Sequence, residues 1–159
     1  MSGKLPSSIR DGRHHYTLRV YFEDTDAGGI VYHGRYLGFA ERARTETLRD
    51  LGVPHAELVR DCGLIFVVRR AKLDYLRPAR LDDVLEVATE GVALAGASVT
   101  LRQTFRRLGE APPLAVIELL LATVRLGDHR PAAAAGALAG GVRAAGRLGR
   151  RARRKGGMT

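Results

Sequence analysis

A two-residue alternation of apolar and polar positions recurs along most of this chain, and this period is typical of half-buried β-strands. It predicts five strands, over His15–Phe22, Leu64–Tyr75, Val84–Leu94, Ser98–Arg107 and Leu114–Arg125. No helical pattern separates the last four strands; turn-forming residues stand between them instead. Consecutive strands joined by short turns pair antiparallel, so the pattern argues against a doubly wound parallel sheet.

One segment follows a helical period instead. Between Tyr32 and Leu51, apolar and small residues recur at steps of three and four, and charged residues fall largely elsewhere. Gly52 and Pro54 end this helix, and His55–Asp61 is compatible with a further helical turn. The order β–α–β–β–β–β predicts an α+β fold in which one long helix covers an antiparallel sheet.

Composition and charge divide the chain at Asp128. Hydrophobic residues make up 45% of the 159 residues and charged residues 27%, which is typical of a globular protein. The net charge is +9, but eight basic residues and no acidic residue follow Asp128. We therefore expect an N-terminal extension over residues 1–14, a nearly neutral domain over residues 15–128, and a flexible Ala/Gly/Arg-rich tail over residues 129–159.

The same composition excludes several classes of protein. There is no run of 18 apolar residues for a membrane span, and the first residues lack the apolar core of a secretory signal. The single cysteine, Cys62, excludes an internal disulfide and fits the reducing cytoplasm. No metal-ligand spacing or phosphate-binding glycine motif is present, so we expect no metal and no cofactor. The tail supports only sequence-independent contact with nucleic acid, which is not expected to be the main function.

The residues best suited to chemistry lie between the first strand and the helix. Glu23, Asp24 and Asp26 precede two glycines, and His33 stands at the predicted helix start. A helix N-terminus has unpaired N–H groups and a partial positive charge, which suit a developing oxyanion. A carboxylate held opposite can act as nucleophile or as base. On spacing alone, an acidic loop that caps the helix explains the same residues.

A family resemblance favours the chemical interpretation. The stretch RVYFEDTDAGGIVYHGRYLGFAERARTETLRDLG (Arg19–Gly52) closely resembles the hotdog-fold acyl-CoA thioesterases of the 4-hydroxybenzoyl-CoA thioesterase class, in particular their YbgC-like, Tol–Pal-associated branch. VVRRAKLDYLRPARLDD (Val67–Asp83) is similar to a later strand and turn of that family. The resemblance implies a hotdog fold, with one long central helix wrapped by a curved five-stranded antiparallel sheet, and hydrolysis of an acyl-CoA thioester to free acid and CoA.

The resemblance also implies roles for individual residues. Asp26 is the implied catalytic carboxylate, which either attacks the thioester carbonyl or activates a water, and His33 is its implied partner. Asp24 is expected to shape the loop. The implied substrate-binding residues are Gly28, Gly29, Tyr32 and Gly34, with Arg69, Arg70 and Lys72 as candidates for the CoA phosphates. A plain core role for Tyr32 and a solvated strand edge for the three cations fit the sequence as well.

Two departures from the family pattern stand out. Arg35 occupies a position where the family usually has asparagine, which leaves open a non-catalytic hotdog protein that binds acyl-CoA or acyl carrier protein. Leu121–Leu126 runs directly into the Ala/Gly/Arg tail, so we expect a shortened or replaced final strand.

The resemblance also carries implications for the oligomeric state, the substrate and the cellular location. It implies a homodimer or homotetramer with active sites at the subunit interface, and an unpaired sheet edge would favour such an assembly. It further implies an acyl-CoA or acyl carrier protein substrate, a cytoplasmic location and a role near the Tol–Pal system.

Overall fold

Six strands form one antiparallel sheet in the computed structural model, which describes residues 7–52 and 55–133. They are β1 (Ser7–Arg10), β2 (Arg13–Arg19), β3 (Leu64–Tyr75), β4 (Val84–Ala95), β5 (Ser98–Arg107) and β6 (Pro113–Arg125). Their order across the sheet is β1-β2-β4-β5-β6-β3, so β1 and β3 are the edge strands. The five predicted strands are therefore present, with one more added.

The long helix α1 (Arg35–Asp50) packs against this sheet. Its buried residues are Tyr36, Phe39, Ala40 and Ala43, which share one apolar cluster with strand residues such as Phe105. A short helix α2 (His55–Glu57) and a π-helical turn (Leu58–Cys62) lead on to β3. The predicted α+β architecture is confirmed: one helix buries its apolar side on an antiparallel sheet.

The additional strand, β1, forms a tight hairpin with β2 that the sequence pattern did not predict. Asp11 and Gly12 both have positive φ, 52° and 73°, and they join β1 to β2 at the pair Arg10–Arg13. Such a turn follows the right-handed twist of the strands, and Asp-Gly is one of its preferred sequences. Residues Ser7–His14, assigned to an N-terminal extension, thus belong to the sheet, and the predicted boundary at residue 15 falls inside β2.

The last strand corrects a second expectation. β6 is neither shortened nor replaced: it runs for 13 residues between β5 and β3. Beyond it the chain turns back, because Pro131 bridges with Val124 and the N–H of Ala132 donates to the carbonyl of Thr123 at 3.0 Å. The first residues assigned to the tail therefore run along β6, and residues 134–159 lie outside the described residues. Within the described part of the chain, no helix is long and apolar enough to cross a membrane.

Candidate active site

The acidic loop between β2 and α1 is a small hydrogen-bonded hairpin. Thr25 and Val31 pair as antiparallel neighbours, and the N–H of Asp26 donates to the carbonyl of Ile30 at 2.9 Å. At the tip, the N–H of Gly29 donates to the carbonyl of Asp26 at 3.1 Å. Gly29 has φ +76°, a conformation that residues with a Cβ rarely adopt. The hairpin places the Asp26 side chain at an exposed tip.

A second segment, just before β4, holds the hairpin in place. The N–H of Val31 donates to the carbonyl of Ala79 at 2.8 Å, and Ile30 bridges with Arg80. Val31 and Ala79 are both buried, so the attachment is protected from water. These contacts hold the turn around Ala79, in the stretch Val67–Asp83 that resembles the family, against the acidic loop.

Asp26 has one carboxylate oxygen engaged and one unengaged. Its Oδ1 accepts the N–H of Gly28 at 2.8 Å. A Cβ at residue 28 would lie 3.2 Å from the same oxygen, so glycine suits this close approach. Among the described residues, no side chain or N–H binds Oδ2 of Asp26, and no cation forms an ion pair with the carboxylate. The carboxylate is therefore oriented but still able to react or accept a proton.

Asp24 differs sharply from Asp26, although only one residue separates them. Its side chain is 4% exposed, and its Oδ2 accepts the N–H of Tyr21 at 2.8 Å. Its Oδ1 accepts two N–H groups of Arg35, from Nε at 2.9 Å and from Nη2 at 2.5 Å. The hydrogen bond to Asp24 raises the pKa of the Arg35 guanidinium. Asp24 thus shapes the loop, and Arg35, the departure from the family pattern, is bound to it.

His33 lies two residues before the first residue of α1. Its side chain is exposed, and its ring lies against Tyr32 with 4.2 Å between ring centroids. Its carbonyl accepts the hydroxyl of Tyr75 at 2.9 Å. No hydrogen bond joins His33 to Asp26 among the residues described, so any joint action requires a bound substrate or water.

The start of α1 is left uncapped by side chains. Gly34 is the capping residue, and among the described residues no side chain accepts the N–H groups of the first turn. The first of these groups, that of Arg35, donates to the carbonyl of Tyr32 at 2.9 Å. A Cβ on Gly34 would lie 3.0 Å from the Tyr32 ring, so glycine keeps room for that aromatic side chain. First-turn N–H groups that lack a protein acceptor can bind a carbonyl oxygen or an oxyanion.

Two tyrosines that sequence reasoning did not single out support the helix start. Tyr75, at the end of β3, donates to His33 and lies edge-on to Tyr36 with centroids 5.5 Å apart. Tyr36 is buried, and its hydroxyl bonds to the backbone of Ala79. Burial raises the pKa of the Tyr36 hydroxyl, so it stays neutral. Tyr75 lies in the stretch Val67–Asp83, and the family resemblance of that stretch was the available signal for it.

The three candidate phosphate-binding cations do not join this cluster. Arg69, Arg70 and Lys72 are exposed on the edge strand β3, about 10 to 20 Å along the strand from Tyr75 at 3.3 Å per residue. A bulge interrupts the pairing of β3 with β6 between Val68 and Arg70. None of the three forms an ion pair within the described residues, so their charges are available to a ligand.

No metal centre is found in the part of the chain that the structure describes. There, no three His, Cys, Asp or Glu side chains are close enough together to hold an ion. Cys62, exposed in the turn before β3, has no such partner either. The groups described at the candidate site are the Asp26 carboxylate, the His33 imidazole and the backbone N–H groups of the helix start.

Comparison with known proteins agrees with this geometry. Residues 28–113 match the family described as the thioesterase superfamily. The chain is 44% identical over 118 residues to the acyl-CoA thioesterase YbgC of Haemophilus influenzae, covering 74% of this chain and 85% of that protein. It is 48% identical over 88 residues to the acyl-CoA thioester hydrolase YbgC of an Escherichia coli strain, covering 55% of this chain and 65% of that protein.

Solved structures give the same result. A probable thioesterase from Bartonella henselae superimposes with a TM-score of 0.70 at 36% identity, covering 76% of this chain and 98% of its own. A 1,4-dihydroxy-2-naphthoyl-CoA thioesterase from Synechocystis, at 18% identity and a TM-score of 0.75, shares the fold, covering 82% of this chain and 95% of its own. The resemblance seen in the sequence is confirmed: this chain has the hotdog fold and belongs to the thioesterase superfamily.

Proposed function

We propose that this chain hydrolyses acyl-CoA thioesters to a free acid and CoA. One observation carries the proposal: the exposed Asp26 carboxylate lies on a rigid hairpin that leads directly into the uncapped start of α1. A thioester needs both a nucleophile or base and a donor for its carbonyl oxygen. The names of the Haemophilus influenzae and Escherichia coli relatives support CoA thioesters as the substrate class.

The helix start acts on the carbonyl. When the carbonyl carbon is attacked, negative charge develops on its oxygen, and the first-turn N–H groups of α1 stabilise that charge. They stay in place during the reaction because the Tyr75 hydroxyl holds the His33 carbonyl and Tyr36 is buried beneath. The carbon–sulfur bond then breaks, and CoA leaves as a thiolate that takes up a proton.

Asp26 starts the attack by one of two routes. As a base, it takes a proton from water, and the resulting hydroxide attacks the carbonyl carbon to give the acid directly. As a nucleophile, its Oδ2 attacks the same carbon and forms a mixed anhydride, which water then hydrolyses. Oδ1 is bound to Gly28 in both routes, which leaves Oδ2 as the reacting atom. His33 orients the substrate or carries a proton.

The positions of the other candidate residues determine which part of the substrate each of them contacts in this proposal. Tyr32, half-exposed beside His33, lines the acyl side of the site together with the glycine backbone of the hairpin. Arg69, Arg70 and Lys72 bind the CoA phosphates from β3. The proposal places the reaction in the cytoplasm, in keeping with a lone free cysteine.

The active protein is proposed to be a homodimer or larger homo-oligomer in which β3 meets a second copy. β3 pairs only with β6, so its outer edge presents backbone groups without a strand partner among the described residues. Val67, Val68 and Tyr75 on this strand are 41%, 47% and 50% exposed, which is a large apolar surface for an edge strand. Because Tyr75 also contacts His33, a partner on this edge would adjoin the site.

Replacement of Asp26 tests the reaction. Asp26→Asn keeps the shape of the side chain but removes the base and nucleophile, so kcat should fall by about 10²- to 10⁴-fold on a panel of acyl-CoAs. Glu23→Gln is the matched control, since Glu23 is 70% exposed in the same loop and should keep near-normal kcat. An Asp26→Asn variant as active as the parent would overturn the mechanism. If the parent binds acyl-CoAs but hydrolyses none of them, the non-catalytic alternative is correct.

A charge placed on the β3 edge tests the assembly. Val68→Lys should convert the oligomer to monomers in light scattering and lower activity at least tenfold, because the site loses its neighbouring subunit. Val92→Lys is the control, since Val92 is 49% exposed on β4, away from this edge. A parent chain that is monomeric and fully active contradicts the assembly without affecting the proposed chemistry.

A further inference from the structure

A cavity lies at the opposite end of α1 from the candidate active site. Its volume is about 440 Å³, within the ~300–1,000 Å³ range of small-molecule sites. The C-terminal half of α1 forms one wall, and the ends of β4 and β5 form the other. The lining near α1 begins at Arg44, about 13 Å along the helix axis from Arg35 at 1.5 Å per residue. The cavity is therefore separate from the Asp26 hairpin, none of whose residues lines it.

Most of the cavity wall is apolar. Leu48 and Leu51 line it from the helix side, and Val99, Leu101 and Phe66 line it from the sheet. The alternation of β4 is broken here by a bulge between Gly91 and Ala93, and bulges are frequent beside binding sites. Such a wall gains free energy when it covers the apolar body of a ligand.

Arg44 is the exception on this wall. Its Nη1 donates to Oε1 of Gln103 at 3.1 Å, and Gln103 is fully buried and held by Ala40 and Thr89. Gln103 is neutral, so this bond fixes the guanidinium without balancing its charge. Among the described residues Arg44 forms no ion pair, and Glu41 attracts it only at longer range. Burial lowers the pKa of Arg44, which reflects the cost of keeping this cation away from water.

Other charged groups on the cavity wall already have partners. Arg13 pairs with Glu90 at 3.0 Å, and Nε2 of His14 bonds to Asp50 at 2.8 Å. The Nδ1 of His14 is buried without a hydrogen-bond partner among the described residues. The wall thus offers one unbalanced positive charge, that of Arg44, in largely apolar surroundings.

We propose that this cavity binds a monocarboxylate with an unbranched apolar chain, its carboxylate on Arg44 and its chain against Leu48, Val99 and Leu101. The carboxylate supplies the charge that Arg44 lacks, and a guanidinium is the side chain best suited to bind it. The chain replaces water on the apolar wall. Free acids of this class are the product of the proposed hydrolysis, so the cavity is a second, product-binding site away from the reaction centre.

Titration calorimetry with sodium octanoate on the full-length chain tests the proposal. One octanoate should bind per chain, and affinity should rise from butanoate to octanoate by up to about fourfold per added methylene. Arg44→Gln should weaken octanoate binding by about tenfold or more. Arg42→Gln, which removes an exposed charge from the same helix, should change it less than about twofold. Octan-1-ol, which has no charge, should bind the parent and Arg44→Gln equally.

Two further variants make the result independent of the proposed reaction. Asp26→Asn should bind octanoate as the parent does, because its substitution lies outside the cavity. Val99→Phe should lose binding by filling the cavity, with its fold checked by circular dichroism. The proposal is overturned if the parent does not bind octanoate, if Arg44→Gln or Val99→Phe binds it as tightly as the parent, or if Asp26→Asn abolishes binding.

Discussion

The two ends of α1 differ in how completely their buried polar groups are satisfied by partners. At the N-terminal end, Asp24 is buried, and the charge of Arg35 and the N–H of Tyr21 both satisfy it. At the C-terminal end, Arg44 is partly buried with only a neutral partner, and the Nδ1 of His14 has no partner among the described residues. The buried carboxylate at the first end is fully satisfied, whereas the buried polar groups at the second end are satisfied only in part.

The difference between the two ends indicates that the N-terminal end of α1 is the more rigid one and that the C-terminal end has polar groups able to bind a ligand. A fully satisfied network holds one geometry, as the Asp26 hairpin requires for chemistry. An incompletely satisfied wall costs stability until a ligand completes it. In the two proposals above, one helix thus carries a rigid catalytic site at its start and a ligand-binding cavity near its end.

Removal of the Asp24 carboxylate should give the largest change in stability. Asp24→Ala leaves the Tyr21 N–H and the Arg35 guanidinium without their acceptor, so the free energy of unfolding should fall by about 2 kcal/mol. This value is discounted because the Arg35 side chain is 38% exposed and water can solvate it. Urea denaturation measures it, with Glu23→Ala as the control that should be nearly neutral. If both variants unfold like the parent, the N-terminal end is not the rigid one.

Gly34, which caps α1, and Gly38, within α1, should respond differently to replacement by alanine. At Gly34 a Cβ would lie 3.0 Å from the Tyr32 ring, so Gly34→Ala should displace that ring and raise KM a few-fold. At Gly38 nothing lies within 4 Å, so Gly38→Ala should stabilise the helix by about 0.5–1 kcal/mol without changing KM. Steady-state kinetics and thermal unfolding on both variants check the contrast. An unchanged KM in Gly34→Ala would show that Tyr32 does not contact substrate.

The smallest expected effect is on the pH dependence of stability, through His14 near the C-terminal end of α1. Burial lowers the pKa of His14 below its ordinary 6.5, although Asp50 acts in the opposite direction. The unfolded chain therefore binds a proton at His14 more readily than the folded chain does. The stability that depends on neutral, buried His14 is present above pH 6.5, and it declines as pH falls through the range between the unfolded and folded pKa values. In His14→Gln, the decrease in melting temperature from pH 7.5 to pH 5.5 should be shallower than in the parent. His15→Gln serves as the neighbouring control, and an equal decrease in all three proteins would contradict the assignment.

Much of the fold could be predicted from the sequence, and candidate residues for the first site could be named, because their signals are local. Strand alternation and helical period identified all five longer strands and α1, and the loop motif located Asp26 and His33 within one short stretch. The β1–β2 hairpin was missed although Asp11-Gly12 is a turn signal, because β1 has only four residues and little alternation. The role of Arg35 also depended on structure, since nothing in the sequence joins it to Asp24.

The cavity could not be anticipated, since its wall combines residues from distant parts of the chain. Arg44, His14 and Val99 belong to a helix and two strands, and only the sheet order brings them together. In the sequence, nothing distinguishes Arg44 from an ordinary polar residue of an amphipathic helix. Its burial depends on Gln103, which is 59 positions away.

The position of β3 in the sheet has a consequence for how the protein is made. β3 is complete at Tyr75, but β6, its one strand partner among the described residues, begins at Pro113. At 5–20 residues per second, synthesis takes about 2 to 8 s to cover that interval. During this time a strand of 12 residues with an apolar first half lacks its neighbour β6, and non-local pairing of this kind is slow and exposed to aggregation. We expect the nascent chain to be most prone to aggregation between synthesis of β3 and synthesis of β6.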